Sequence, residues 1–157
     1  MKSMYLAHPF DARHWVRKWE LAFEKETGLT LNNPFYDQPN RADVEKIDAG
    51  RAERYAELIA SDLVRKDLRF ILASDGVLAI IDGSTSYGTL MEIVYAHLYG
   101  LPVYLIISNG HHDHPWLKYH SDKIFRSCEA AKRHFKPCTD ATLCPYISSY
   151  TDDGAAT

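Results

Sequence analysis

Apolar residues fall along this chain in two rhythms. Some segments are apolar along their whole length: "MYLA" (4–7), "LTLN" (29–32), "GVLAIID" (76–82) and "PVYLIIS" (102–108), with a shorter "KIFRS" (123–127). Such runs, bounded by turn residues, predict buried strands. Pro9 stops the first, and "NPFYD" (33–37) ends the second. Other segments repeat at helical spacing. Trp15, Val16, Trp19, Ala22 and Phe23 predict a helix ended by Gly28. Tyr55, Leu58, Ile59, Leu63, Leu68, Ile71 and Leu72 predict another across residues 51–73. A third is expected from Thr89 to Tyr99, closed by Gly100, and a fourth near 129–135. Residues 38–50 are polar and read as a loop or lid.

Strands that alternate with helices, and are apolar throughout, imply a parallel sheet covered on both faces. The expected fold is α/β: one doubly wound parallel sheet of about five strands, flavodoxin-like or Rossmann-like, in a single domain over residues 1–136. Residues 137–157 read as a poorly ordered tail. Ligands of open α/β sheets bind beyond the carboxyl ends of the strands. Those ends are "AHPF", "NPFYD" and "DGSTSYG". They offer His8, Phe10, Tyr36, Asp82, Gly83, Ser86 and Gly88 as candidate substrate contacts.

Composition narrows the partners. The chain has 157 residues, 46% hydrophobic and 25% charged, enough for a real core. A net charge of −3 supplies no bulk attraction to nucleic acid or to an anionic membrane. No apolar run approaches the roughly 20 residues of a membrane span. Cys128, Cys138 and Cys144 are odd in number and lack C-x-x-C spacing, which favours a reduced, cytoplasmic setting.

Candidate chemistry centres on "GSTSYGTLMEIVYAHLYG" (83–100), where Glu92 is the one carboxylate in an apolar, aromatic helix. Two readings compete. Thr89-Leu90-Met91-Glu92 matches a capping box, which would make Glu92 structural. A nucleophile or base in a pocket is the other. Spacing alone favours the cap. Asp67 lies at the margin of its helix's apolar stripe, either solvated or facing the same cleft. Tyr5 and Tyr36 flank the cleft edge as packing residues or as hydroxyls that orient a carboxylate. Ser84, Thr85, Ser86 and Tyr87 suit either turn chemistry or phosphate binding before a helix N-terminus. P-loop and dinucleotide fingerprints are absent. "HHDHPWLKYH" (111–120) invites a metal reading, but its adjacent ligands lack the usual spacing. His114, Trp116 and His120 are alternatively cleft or subunit contacts.

Together these motifs resemble the nucleoside 2-deoxyribosyltransferase superfamily, which includes the deoxynucleoside 5'-monophosphate N-glycosidases. The likeness covers roughly residues 4–108. "YLAHPF" is similar to the family's opening Y-L-A-x-P-F, and "NPFYD" to its second-strand ending. "DLRFILASDGVLAIIDGSTSYGTLMEIVYAHLYGLPVY" resembles its core signature. The resemblance implies that Glu92 is the catalytic glutamate, that Asp67 lies near the leaving base and that Tyr5 orients the glutamate. It reverses the preference for the cap. Transferases of the family usually carry an aspartate where this chain has Ser86, whereas the monophosphate glycosidases carry a phosphate-binding serine there. Their N-terminal phosphate-binding serine is replaced by Pro9.

The implied activity is N-glycosidic bond cleavage in 2'-deoxynucleosides or their 5'-monophosphates, by hydrolysis or base exchange, with no metal or organic cofactor. The implied partners are a small nucleoside or nucleotide and further copies of the chain, with residues 111–121 as the candidate contribution of a neighbouring subunit. A non-catalytic nucleotide-binding module on the same fold is the alternative.

Overall fold

The computed structural model describes residues 1–37, 60–83 and 86–137. The expected loop or lid at 38–50, the positions Tyr55, Leu58, Ile59, Ser84 and Thr85, and the tail from residue 138 onward lie outside these residues.

Five strands form one parallel sheet: β1 (Ser3–Ala7), β2 (Thr30–Asn32), β3 (Val77–Ile81), β4 (Val103–Ile107) and β5 (Lys123–Phe125). Their order is β2-β1-β3-β4-β5, all neighbours parallel. This is the flavodoxin-like order, with its switch point between β1 and β3. Register places Tyr5 beside both Asn32 and Val77.

Alternation along the strands sorts side chains between two cores. Met4, Leu6, Leu31, Leu78, Ile80 and Ile106 face one side, against Val16 and Phe23 of α1 (Arg13–Thr27). Tyr5, Ala7, Val77, Ala79, Leu105 and Ile107 face the other. There they meet Ile71 of α2 (Ala60–Leu72) and Ile93 and Ala96 of α3 (Tyr87–Leu98). Burial on both faces is why these strands are apolar without alternation. α4 (Pro115–Tyr119) and α5 (Cys128–Phe135) complete the helices described.

The helical stripes differ in detail from the spacing estimate. In α1 the buried line is Val16, Glu20, Phe23 and Thr27. Trp15 and Ala22 are exposed, because they lie on a flank about 100° away from that line. Leu72, the last residue of α2, is also exposed. The third helix begins at Tyr87, two residues before the expected start, and Ser86 is its N-cap. Its end is as the glycine signal implies. Gly100 adopts φ 71°, its N–H bonds the His97 carbonyl, and the Leu101 N–H bonds that of Ala96. This is the paired bonding of a Schellman motif. Residues 111–113 form a short 3-10 turn, and α4 follows it.

Candidate active site

The earlier helix start decides the first ambiguity. Ser86 Oγ accepts the Thr89 N–H at 3.2 Å, so Thr89 occupies the third helical position, where a capping box would place its acid. Glu92 sits nearly a full turn further on and cannot reach back to that cap. Its carboxylate instead accepts the Tyr5 hydroxyl at 2.7 Å, across 87 residues of sequence.

Tyr5 rises from the centre of β1 and is fully buried, with its ring edge-on to Phe70 of α2. Asp67, one turn earlier on α2, stands close enough to act on both Tyr5 and Glu92 by charge. Three elements thus bring three sequence-selected residues together. Glu92 keeps partial solvent access, as a group that meets a ligand must, but its carboxyl is enclosed on the protein side. Burial lifts its pKa to about 8, Asp67 adds to the rise, and the Tyr5 hydrogen bond opposes it. Burial first, then the neighbouring carboxylates, raise the Tyr5 phenol well above its ordinary value, so it remains a donor.

At the N-terminus of α3 lies a cleft of about 330 Å³, lined by Pro9, Gly83, Ser86, Thr89, Asn109 and His111 among others. Gly83 turns the chain there at φ 100°, a conformation that a side chain would strain. Ser86 Oγ accepts from both the N–H and the hydroxyl of Thr89, the latter at 2.9 Å. Its own hydroxyl hydrogen is left to donate elsewhere. Gly88 is exposed in the first helical turn, and a Cβ there would lie 4.0 Å from Ser86 Oγ, ordinary van der Waals contact.

The other candidates are placed as follows. His8 follows β1 and is buried, between the Pro9 carbonyl at 3.0 Å and Asn33 Oδ1 at 3.3 Å. Burial lowers its pKa to about 4, although both oxygens and the nearby charge of Asp82 favour the cation. Phe10 is buried against Phe35, with the Arg13 guanidinium 4.0 Å from its ring centre. Tyr36 turns toward α1: its hydroxyl meets His14 Nδ1 at 3.2 Å and Arg17 lies over its ring. No contact brings Tyr36 to Glu92 among those described.

Sequence reasoning passed over Asn33, Asn109 and Glu20. The signal for Glu20 was a carboxylate inside the apolar stripe of α1, four residues after Val16 and three before Phe23. A second, mostly apolar cleft of about 470 Å³ lies between α3 and α4, lined in part by Leu90, Val94, His114, Trp116 and His120. Beside it the outer face of α3 is apolar and open: Tyr87 is 77% exposed and Leu98 70%, with Trp116 at 68% nearby. Among the described residues no three metal-binding side chains converge, and no helix is long and apolar enough to cross a membrane.

The open, all-parallel five-stranded α/β sheet defines the class of fold. Solved structures of known activity share that fold. A 2-deoxyribosyltransferase from Bacillus psychrosaccharolyticus is similar with a TM-score of 0.60 at 18% identity, covering 83% of this chain and 90% of that one. The CMP N-glycosidase of Clostridium botulinum is similar with a TM-score of 0.53 at 17% identity, covering 85% and 96%. The sequence matches no family model and no curated protein.

Proposed function

We propose that this protein cleaves the N-glycosidic bond of 2'-deoxynucleosides or their 5'-monophosphates, with Glu92 as nucleophile. The observation that carries this reading is the Tyr5–Glu92 hydrogen bond beside Asp67, where β1 meets the two helices packed on that face of the sheet. The fold shared with a deoxyribosyltransferase and a CMP N-glycosidase supports it.

The chemistry follows that of retaining glycosidases. The Glu92 carboxylate attacks C1', the C1'–N bond breaks, and its electron pair leaves with the base. The base takes up one proton. Near neutral pH one proton resides on Glu92, which must lose it before attacking. Asp67, beside it, is the carrier that passes this proton to the base. Water then attacks C1', the Glu92–C1' bond breaks and the water's proton passes to Asp67, or a second base attacks through a ring nitrogen and gives up its N–H proton the same way. The Glu92–Asp67 pair thereby regains its single proton. Tyr5 orients Glu92 throughout. No step requires a metal or an organic cofactor.

Ser86 favours the phosphorylated substrate and hence the hydrolase. A neutral hydroxyl donor at the N-terminus of α3 suits a phosphate dianion. Gly83 lines the same cleft, and His8, Phe10, Asp82, Gly88 and Tyr36 are further substrate contacts in this reading.

A panel of nucleosides and 5'-monophosphates, read by free-base release with and without acceptor base, tests the reading. Release without acceptor is the expected result. Product formed only with acceptor identifies the transferase, and no turnover of any compound overturns both. On the active substrate, kcat/KM should fall tenfold per pH unit above about 8, where the shared proton is lost. A rise through pH 8 would show that Glu92 must give its proton to solvent instead.

A second copy of the chain covers the open face of α3 and α4 in this reading. A helix apolar on all sides calls for cover beyond its own sheet. Sedimentation at micromolar concentration should show a homodimer or larger, and Leu98→Glu should shift it toward monomer. A wild-type monomer would remove this part of the reading.

A further inference from the structure

Glu20 is a buried carboxylate that the proposed chemistry does not use. It lies mid-way along α1, 0% exposed, on the sheet face opposite Glu92. A leucine there would extend the apolar contact of Val16 and Phe23 with the sheet. Burial raises the Glu20 pKa to about 7, against the opposing pull of Asn33 and Arg17 and with Asp37 and Glu24 adding to the rise. The desolvation of such a group can cost more than its hydrogen bonds return.

Those bonds lead to the cleft. Arg17 Nη1 donates to Glu20 Oε1 at 2.6 Å, and Asn33 Nδ2 donates to Oε2 at 2.7 Å. Asn33 is itself fully buried, immediately after β2. Its Oδ1 accepts the Phe35 N–H at 3.0 Å and faces His8 Nε2 at 3.3 Å. Its backbone N–H donates to Asp37 at 2.8 Å, and its carbonyl accepts the N–H groups of Tyr36 and Asp37. The amide orientation is fixed by this set: flipping it would aim its oxygen at Glu20 and its NH2 at the Phe35 N–H. His8 continues the chain to the Pro9 carbonyl, and Pro9 forms a wall of the Ser86 cleft. The Phe35 ring packs edge-on against both His8 and Phe10.

We infer that Glu20 is a positioning residue: by holding the Asn33 amide it fixes His8 and the 33–37 turn, and so joins the carboxyl ends of β1 and β2 into one wall of the cleft. The inference rests on the functional reading of that cleft. Glu20 touches no substrate. Without it, the buried Asn33 N–H loses its acceptor, and the amide is free to turn away from His8.

The test uses the full chain with Glu20→Ala and the near-isosteric Glu20→Gln. The first readout needs no substrate: NMR signals of the His8 ring nitrogens and the Asn33 side-chain amide. Both should shift in Glu20→Ala and return toward wild type in Glu20→Gln, whose carbonyl can accept the same N–H. The second readout is a KM-against-kcat split on the substrate found by the panel. Glu20→Ala should raise KM about tenfold with little change in kcat, because Glu92 is untouched. A merely structural role would lower thermal stability and move neither readout. Unmoved His8 signals in folded Glu20→Ala overturn the inference, as does an unchanged KM. If Glu20→Ala does not fold, Glu20→Leu, which fills the space but offers Asn33 no acceptor, takes its place: the same shift of the His8 signals and the same rise in KM are expected, and the absence of either overturns the inference. If wild type turns over nothing, the functional reading fails, and the NMR comparison alone decides whether Glu20 positions His8.

Discussion

Glu92→Gln should abolish turnover by at least about a thousandfold while making the protein more stable at pH 7. The two effects share one cause. Glu92 is held in an enclosed space beside Asp67, where its charged form is disfavoured and its pKa stands at about 8. The sign follows from proton uptake. Between the unfolded value near 4.5 and the folded value near 8, the native state holds a proton that the unfolded chain has released. Stability from this group is therefore complete below about pH 4.5 and is lost as pH rises toward 8. Glutamine does not titrate, and its carbonyl still accepts the Tyr5 hydroxyl. The variant should gain about 1–3 kcal/mol over wild type at pH 7, and almost nothing near pH 4.5. Chemical denaturation at the two pH values measures the gap. A helix-capping glutamate would give the opposite sign, a loss of about 0.5–2 kcal/mol. A stable variant that keeps wild-type rates would refute the nucleophile.

Ser86→Asp should exchange one substrate for another without disturbing the fold. Aspartate is as good an N-cap as serine and can accept the same Thr89 N–H. The helix should therefore begin where it does now, with a Tm close to wild type. What changes is charge. A hydroxyl that donates to a phosphate becomes a carboxylate that repels it, and kcat/KM for a 5'-monophosphate should fall by about a hundredfold or more. The free nucleoside carries no phosphate and should be affected far less. Measuring kcat/KM for a matched nucleoside and monophosphate, in both proteins, gives the ratio of ratios. Equal losses on both substrates would mean that Ser86 does not face the phosphate.

Much of this architecture could be read from the chain. Burial on both faces makes a strand apolar without alternation, so the strands announced themselves as parallel. Gly100 marked the end of α3 because only the left-handed region satisfies its last carbonyls. Spacing alone left Glu92 a cap and Asp67 a solvated acid; the family resemblance, not the local pattern, singled out Glu92, Asp67 and Tyr5 together. The start of α3 was not legible. Ser86 and Thr89 are both competent caps, and the choice depends on where β3 ends and how Gly83 turns the chain. That choice moves Glu92 from a capping position to a packed one.

By itself, then, the sequence determined the class of fold, the strands and helices that build it, and the polar residues at the strand ends. These follow from periodicity and turn chemistry, which act over a few neighbouring residues. Tertiary structure decided the strand order, the Tyr5–Glu92 bond and the link from Glu20 through Asn33 to His8. Glu20 and Asn33 are 13 residues apart, and Tyr5 and Glu92 are 87 apart. A hydrogen bond across such a distance leaves no local pattern, because its partner is chosen by how the sheet brings the strand ends together.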